Sequence, residues 1–252
     1  MTKDLTFYIV FHSVLYPENT EDFSLQEILD KFVWLGVNNR IRKTTPLKMI
    51  NYPFIYEYKM RLYNPMFQDN YYYQNSVFFH LYKNPEYLQS KFIGFAQYDM
   101  KFERQSIPTK LMDDYVYGYI PHTSDAIWNF YDLEFWQICF LDEYNKFYGY
   151  AHTMDNICQH PLFFYHTFII PTSFFIHIMP FVEYETSVIL KKLDNNTGHI
   201  AGTLERVFAL CIACGLAEGR LKGSVIQGGI IHKQKEQRTS DSFRQIIKGV
   251  VT

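Results

Sequence analysis

The signatures of the common nucleotide-dependent and hydrolytic enzymes are missing from these 252 residues. There is no GxGxxG, no P-loop, no HExxH and no GxSxG. Their absence argues against dinucleotide-dependent hydride transfer, P-loop NTP hydrolysis, zinc proteolysis and serine-type hydrolysis. Neither sign of charge is in excess: the formal net charge is -2, without the basic footprint of a nucleic-acid binder. Cysteine is scarce, four residues in all. Cys211 and Cys214 form a CxxC inside the apolar run "RVFALCIACGLAEG", with no second CxxC to complete a zinc site. The pair reads as small buried thiols, and with Cys139 and Cys158 the count fits a reduced, cytoplasmic compartment. No internal repeat, charge block or Gly/Ser linker divides the chain, so 1–252 reads as a single domain with a basic tail from about residue 230.

What is abundant is aromatic: 21 Tyr and 23 Phe. Phe and Tyr fill cores before they stack on ligands. The opening "MTKDLTFYIVFHS" carries Asp4 ahead of a short apolar run and reads as a first strand, not a signal peptide. Residues 161–182, "PLFFYHTFIIPTSFFIHIMPFV", hold no Asp, Glu, Lys or Arg. Pro161, Pro171 and Pro180 interrupt them, so buried strand and loop is expected and not a membrane span.

Along the chain, "LTFYIVFHS" predicts a central strand and "SLQEILDKF", with Ser24 and Glu27 in capping-box spacing, a short helix. "FVWLGVN" predicts a second strand, followed by the basic loop "NRIRK". Helical spacing occurs around 56–62 and again over 70–82, where Tyr73, Val77 and Leu81 share a face and Asn84-Pro85 ends the element. "KFIGFAQYDM" predicts a strand, and "GTLERVFALCIACGLAEG" a helix entered after Gly202 and left at Gly215 or Gly219. "GSVIQGGIIHKQKEQR" predicts a strand running into the basic tail. Strands alternating with helices give an α/β class with a mixed, mostly parallel sheet.

In such sheets ligands bind at the carboxyl ends of strands, where His12 and Asp99 fall. Asp99 is either a turn former or a carboxylate for a hard divalent cation such as Mg2+ or Mn2+. Glu205, three residues after Gly202, stands in the first turn of the late helix. The helix dipole favours an acid there without any function; the functional reading is a general base. His232, beside Lys233 and Lys235, belongs either to a solvated tail or to a metal or phosphate contact. His80 reads as a satisfied structural residue.

The succession "FYIVFHS", "VNNRIRK", "YYYQNSVFFHLYKN", "FIGFAQYDM" and "HIAGTLERVFAL" resembles the GT-A-type glycosyltransferases of capsular and lipopolysaccharide gene sets and of large DNA viruses. The resemblance spans most of the chain, with little contributed by 103–160. It implies a single-domain, Rossmann-like nucleotide-binding sheet, a nucleotide-diphospho-sugar donor and a glycan acceptor. It also implies that His12 and the loop with Asn38, Arg40 and Arg42 flank the nucleotide, with Tyr98 packed on sugar or base. Asp99 then takes the place of the metal-binding acidic motif, Glu205 that of the acid facing the acceptor. His232 becomes a late metal or phosphate contact, with Lys233 beside it at the donor. Metal-dependent relatives carry Asp-x-Asp, and Gln97-Tyr98-Asp99 supplies only the last acid. A rival class is a non-catalytic carbohydrate- or nucleotide-binding module. No nucleic-acid partner and no stable membrane insertion are expected.

Overall fold

The computed structural model describes residues 3–12, 15–37, 49–128, 130–193, 197–225 and 230–232. The strands among them are β1 (Leu5–Phe11), β2 (Phe32–Gly36), β3 (Phe54–Tyr56), β4 (Phe92–Gln97), β5 (Met100–Phe102) and β6 (Tyr115–Gly118). They continue with β7 (Pro121–His122), β8 (Leu162–Phe163), β9 (Phe168–Pro171), β10 (Lys222–Val225) and β11 (Ile230–His232). The helices are α1 (Leu25–Lys31), α2 (Met66–Asp69), α3 (Ser76–Lys83), α4 (Asp125–Trp128) and α5 (Leu133–Trp136). After a π-helical turn at Gln137–Leu141 come α6 (Asp142–Tyr148), α7 (Met154–Ile157), α8 (Thr172–Lys192) and α9 (Ile200–Ala217).

Seven strands form one sheet in the order β10-β6-β9-β4-β1-β2-β3. The pairs β1–β2, β1–β4, β2–β3 and β6–β10 are parallel, while β9 runs antiparallel to both neighbours. The mixed, mostly parallel α/β sheet expected from the alternation of elements is present. Two small ladders, β5–β11 and β7–β8, lie outside it.

Both faces of the sheet are covered, and β1 shows how. Phe7, Ile9 and Phe11 enter one core with Ile28 of α1, Phe32, Trp34 and Phe102. Tyr8 and Val10 enter the other, with Phe78 of α3, Phe175 of α8 and Phe208 of α9. A strand buried on both faces needs no polar alternation, hence its continuous apolar run. Gly94 of β4 pairs with Phe7, and a Cβ at that position would collide with the Phe7 ring. Close packing is what this glycine permits. Helix α1 opens on the expected capping box: the Ser24 N–H donates to Glu27 Oε2 at 2.9 Å, and the Glu27 N–H to Ser24 Oγ at 3.3 Å. Cys211 and Cys214 are buried free thiols whose ionisation burial strongly opposes.

Several elements differ from their sequence patterns for identifiable reasons. The spacing over 56–62 yields only a 3-10 turn, Glu57–Lys59. Helix α3 starts at Ser76, not Asn70, because Tyr71 and Tyr73 adopt φ of 61° and 50°, outside the right-handed helical region. Val77 and Leu81 are buried as the pattern requires, but Tyr73 is 52% exposed. Residues 161–182 divide into β8, β9 and the start of α8, with Pro180 inside the helix. The ring removes one helical hydrogen bond, but Pro180 is exposed and Ile176, whose carbonyl loses its partner, is 43% exposed, so water can replace the bond. Helix α9 starts two residues before Gly202. That glycine is a contact and not a boundary: a Cβ on it would lie 2.8 Å from the Phe130 ring. The stretch 197–217 is long and apolar enough to cross a membrane, yet 72% of its apolar window is buried inside the fold. It is packed as a core helix.

One buried polar cluster pins the 57–80 region. Glu57, fully buried, accepts hydrogen bonds from Ser76 Oγ at 2.6 Å, Gln68 Nε2 at 2.7 Å and His80 Nδ1 at 3.0 Å. His80 Nε2 accepts from the Asn64 N–H at 2.9 Å, which leaves the ring proton on Nδ1. His80 is therefore the satisfied structural histidine expected of it.

Glu185 of α8 is the opposite case. It is fully buried, neither carboxylate oxygen has a hydrogen-bond partner, and desolvation pushes its pKa up to about 9. Between roughly pH 4.5 and 9 the folded state therefore holds a proton that the unfolded chain releases, so its contribution to stability falls as pH rises. Glu185→Gln removes that slope. Its stability advantage over the wild type is expected to grow from pH 5 to pH 8 by up to about 1.4 kcal/mol per unit, read by urea unfolding of both proteins. A difference independent of pH would mean that Glu185 is ionised in the folded protein.

Candidate functional site

The strand registers bring four chain segments to one edge of the sheet. Val10 lies opposite Gln97, Phe95 opposite Phe168, and Phe168 opposite Gly118. The exits of β1, β4 and β6 therefore line up with the approach to β9. His12, then Tyr98 and Asp99, then Tyr165–Thr167, then Tyr119 follow one another along that edge.

His12 and Tyr98 meet edge to face, with ring centroids 4.6 Å apart, and Tyr16 stacks beyond Tyr98 at 6.1 Å. The short 3-10 helix Pro17–Thr20 ties the loop after β1 to this corner, its Asn19 Nδ2 donating to the Tyr98 carbonyl at 2.6 Å. Asp99, in the turn between β4 and β5, is only 5% exposed. Its charge reaches both rings: partial burial lowers the His12 pKa while Asp99 opposes that shift, and burial together with Asp99 raises the Tyr98 pKa. In the β5–β11 ladder His232 pairs with Met100, so the backbone of His232 stands across from the residue next to Asp99.

Glu205 reaches the same edge from above. With α9 beginning at Ile200, Glu205 belongs to its second turn, and the first turn holds no acid. The helix dipole has faded there, so the non-functional explanation expected for Glu205 loses its footing. The Glu205 Oε1 accepts the Tyr165 N–H at 2.8 Å. Burial raises the carboxyl pKa; that hydrogen bond and neighbouring Arg206 pull it back. An acid shifted upward is a better proton acceptor near neutral pH. Arg206 lies over the Phe130 ring at 3.9 Å and donates to the Gly202 carbonyl at 2.9 Å.

The segment that holds Glu205 carries no signal in the sequence pattern. Tyr165 and His166 both have positive φ, 57° and 46°, a sparsely populated conformation for such residues. His122 packs on Phe164 and Tyr165 at 4.8 and 5.7 Å. His166 is buried against Phe78 and Phe208, with no hydrogen-bond partner on either ring nitrogen, and burial lowers its pKa to about 3. It is a neutral ring at physiological pH. Nothing in "FFYHTF" announces two consecutive left-handed residues, since neither Tyr nor His favours that region as Gly does.

His12, Tyr98, Asp99 and the backbone of His232 thus gather at one corner, and Glu205 stands on the neighbouring stretch of the same edge. Asn38, Arg40, Arg42, Lys233 and Lys235 lie outside the described residues. Among the described residues no three metal-ligating side chains cluster.

No protein-family model and no curated protein matches the sequence. Among solved structures, the fold is similar to the apo structure of WbbM, a bifunctional glycosyltransferase, with a TM-score of 0.53 over 89% of this chain. The chain shares a glycosyltransferase's fold. Identity to WbbM is 12% and the likeness covers 46% of that protein, so this chain spans about half its length. At such identity the likeness concerns the fold alone.

The electrostatic coupling at the corner is directly measurable. Because the Asp99 charge raises the His12 pKa against burial, Asp99→Asn is expected to lower it further. Titration of the His12 ring signals by NMR reads the shift. An unmoved His12 would mean that the two groups do not share an environment.

Proposed function

We propose that the protein is a GT-A-type glycosyltransferase that moves a sugar from a nucleoside-diphosphate donor to a glycan acceptor. The observation that carries this reading is that two acids, Asp99 and Glu205, lie along the same carboxyl edge of a sheet whose fold is similar to a glycosyltransferase's. Ligands of α/β sheets bind at that edge.

In this reading His12 and Tyr98 flank the nucleotide, and the Tyr98 ring packs on sugar or base. Arg40, Arg42 and Lys233 lend positive charge to the diphosphate. Glu205 takes the proton of the attacking acceptor hydroxyl if configuration inverts, and orients that hydroxyl if it is retained. The Tyr165 N–H fixes one carboxylate oxygen, which limits the rotation of the base.

A divalent cation fits the corner in one specific sense. One buried carboxylate, without a cluster of three ligands among the described residues, does not make an all-protein cage. It suits Mg2+ or Mn2+ bound through one carboxylate and the substrate's own phosphates. Asp99 would hold such an ion with His232 beside it, and the ion when bound neutralises the departing diphosphate. The lone acid also supports the second reading, a carbohydrate- or nucleotide-binding module without catalysis.

Incubation with UDP-, GDP- and dTDP-sugars separates the two, since an enzyme slowly releases the nucleoside diphosphate and a binding module does not. For the sugar that is turned over, Glu205→Gln is expected to cut the rate about a hundredfold or more with nucleoside diphosphate affinity nearly unchanged. Asp99→Asn should weaken donor binding in Mn2+ more than in EDTA. Full activity in Glu205→Gln would remove the base from the mechanism. No release from any donor would leave the binding module.

A further inference from the structure

Two exposed tyrosines beside this edge are held at an energetic cost that packing does not explain. Tyr71 and Tyr73 have φ of 61° and 50° and are 53% and 52% exposed, with ring centroids 6.1 Å apart. A non-glycine residue in that region costs on the order of 1–3 kcal/mol, and rings half in water return little of it. The turn is nevertheless anchored on every side. Between the two, Tyr72 is buried against Phe67 and Phe79. The Tyr73 carbonyl accepts from Gln68 Nε2 at 3.3 Å and lies 2.8 Å from Ser76 Oγ, whose single proton it shares with buried Glu57; Gln68 Nε2 also donates to Glu57. Asn75 Nδ2 donates to the Tyr72 and Ala201 carbonyls, each at 3.0 Å.

The bond to Ala201 locates the pair. Ala201 and Glu205 are four residues apart on α9, on one face and about 6 Å apart along the axis. The tyrosine turn is therefore fastened one helical turn from Glu205. The stretch of chain that carries it has little charge of its own. Between residues 62 and 82 there is no Lys or Arg, and Asp69 is the only carboxylate. The amides of Asn70 and Gln74, partly exposed, flank the two rings in sequence. With no cation contributed by its own stretch of chain, the turn itself offers nothing that would select a diphosphate, a nucleic acid or an anionic lipid head. Rings with hydroxyl tips next to amides match a neutral pyranose, which has apolar C–H faces and a rim of hydroxyls.

We propose that Tyr71 and Tyr73 form a carbohydrate-binding platform for a neutral, hydroxyl-rich acceptor glycan. That the glycan is the acceptor rests on the transferase reading; that the platform binds carbohydrate does not.

The backbone offers a clean test, because asparagine tolerates the left-handed region that tyrosine resists. The double variant Tyr71→Asn/Tyr73→Asn removes both rings and keeps the turn, so its melting temperature is expected to equal or exceed the wild type's. The probes are neutral trisaccharides of glucose, galactose, mannose, rhamnose and N-acetylglucosamine, titrated without nucleotide into protein carrying 13C-labelled tyrosine rings. At least one is expected to shift the Tyr71 and Tyr73 ring signals and to lose tenfold or more in affinity in the double variant. Nucleoside diphosphate binding should be unchanged by the substitutions. If the double variant is unstable, Tyr71→Gly and Tyr73→Gly singly make the same comparison. Undiminished trisaccharide affinity in the variants, or no trisaccharide bound by the wild type, overturns the platform. Trisaccharide binding that depends on the two rings in a protein that binds no nucleoside diphosphate keeps the platform and overturns the transferase.

Discussion

Strand β4 lies between a parallel neighbour, β1, and an antiparallel one, β9, and that mixed pairing decides where the functional groups can meet. Were β9 parallel, its approach would lie at the opposite edge of the sheet, and Tyr165 with it. As it is, Phe95 pairs with Phe168, so the chain enters β9 where β4 ends. The Tyr165 N–H that fixes Glu205 and the turn that carries Asp99 thus share one side of the molecule. The pairing depends in turn on a missing side chain. Gly94 lets β4 lie against the Phe7 ring, and a larger residue there would disturb the central strand pair on which both cores are built.

The polar groups divide into those the fold satisfies and those it leaves unsatisfied. The Glu57 cluster joins the 57–64 chain to α3 with every major donor and acceptor used, and it extends to the Tyr73 carbonyl. A strained turn becomes affordable where such a network over-determines it. Glu185 and His166 are buried with hydrogen-bonding atoms unmatched, and burial keeps each neutral. They reduce stability without touching the candidate acids. His166 nevertheless sits next to the residue that holds Glu205, so the strain and the desolvation both lie against the proposed active edge.

Much of this was legible in the chain because it was written in local terms. β1, β2 and β4 are apolar runs that only doubly covered strands need, and Ser24 with Glu27 marks the start of α1. That Asp99 and His12 fall just past the ends of β4 and β1 was legible too, because each closes an apolar run. What escaped depends on distant contacts. Gly202 looks like a helix boundary, but its bare Cα accommodates Phe130, and α9 begins earlier; Glu205 moves to the second turn, where the helix dipole no longer accounts for it. Pro180 looks like a helix breaker, but the side of α8 on which it falls is wet. Tyr71, Tyr73, Tyr165 and His166 adopt a conformation their side chains oppose. The contacts that hold them there join the turn to α9 through Asn75 and Ala201, and Tyr165 to Glu205, pairs that local sequence does not show.

In the proposed function the ligand edge of the sheet is the one bearing His12, Asp99 and His232, and not the opposite edge, where a cleft of about 530 Å³ is lined by Asp4, Asp30, Lys31, Lys91 and Lys110. Paramagnetic broadening of backbone amide signals by Mn2+, added with a nucleoside diphosphate, tests this most directly. The amides of His12, Tyr98 to Lys101 and His232 are expected to broaden first while those of Asp4, Asp30 and Lys91 stay sharp. Broadening centred on the opposite edge, or none at any concentration that saturates the nucleotide, would contradict it.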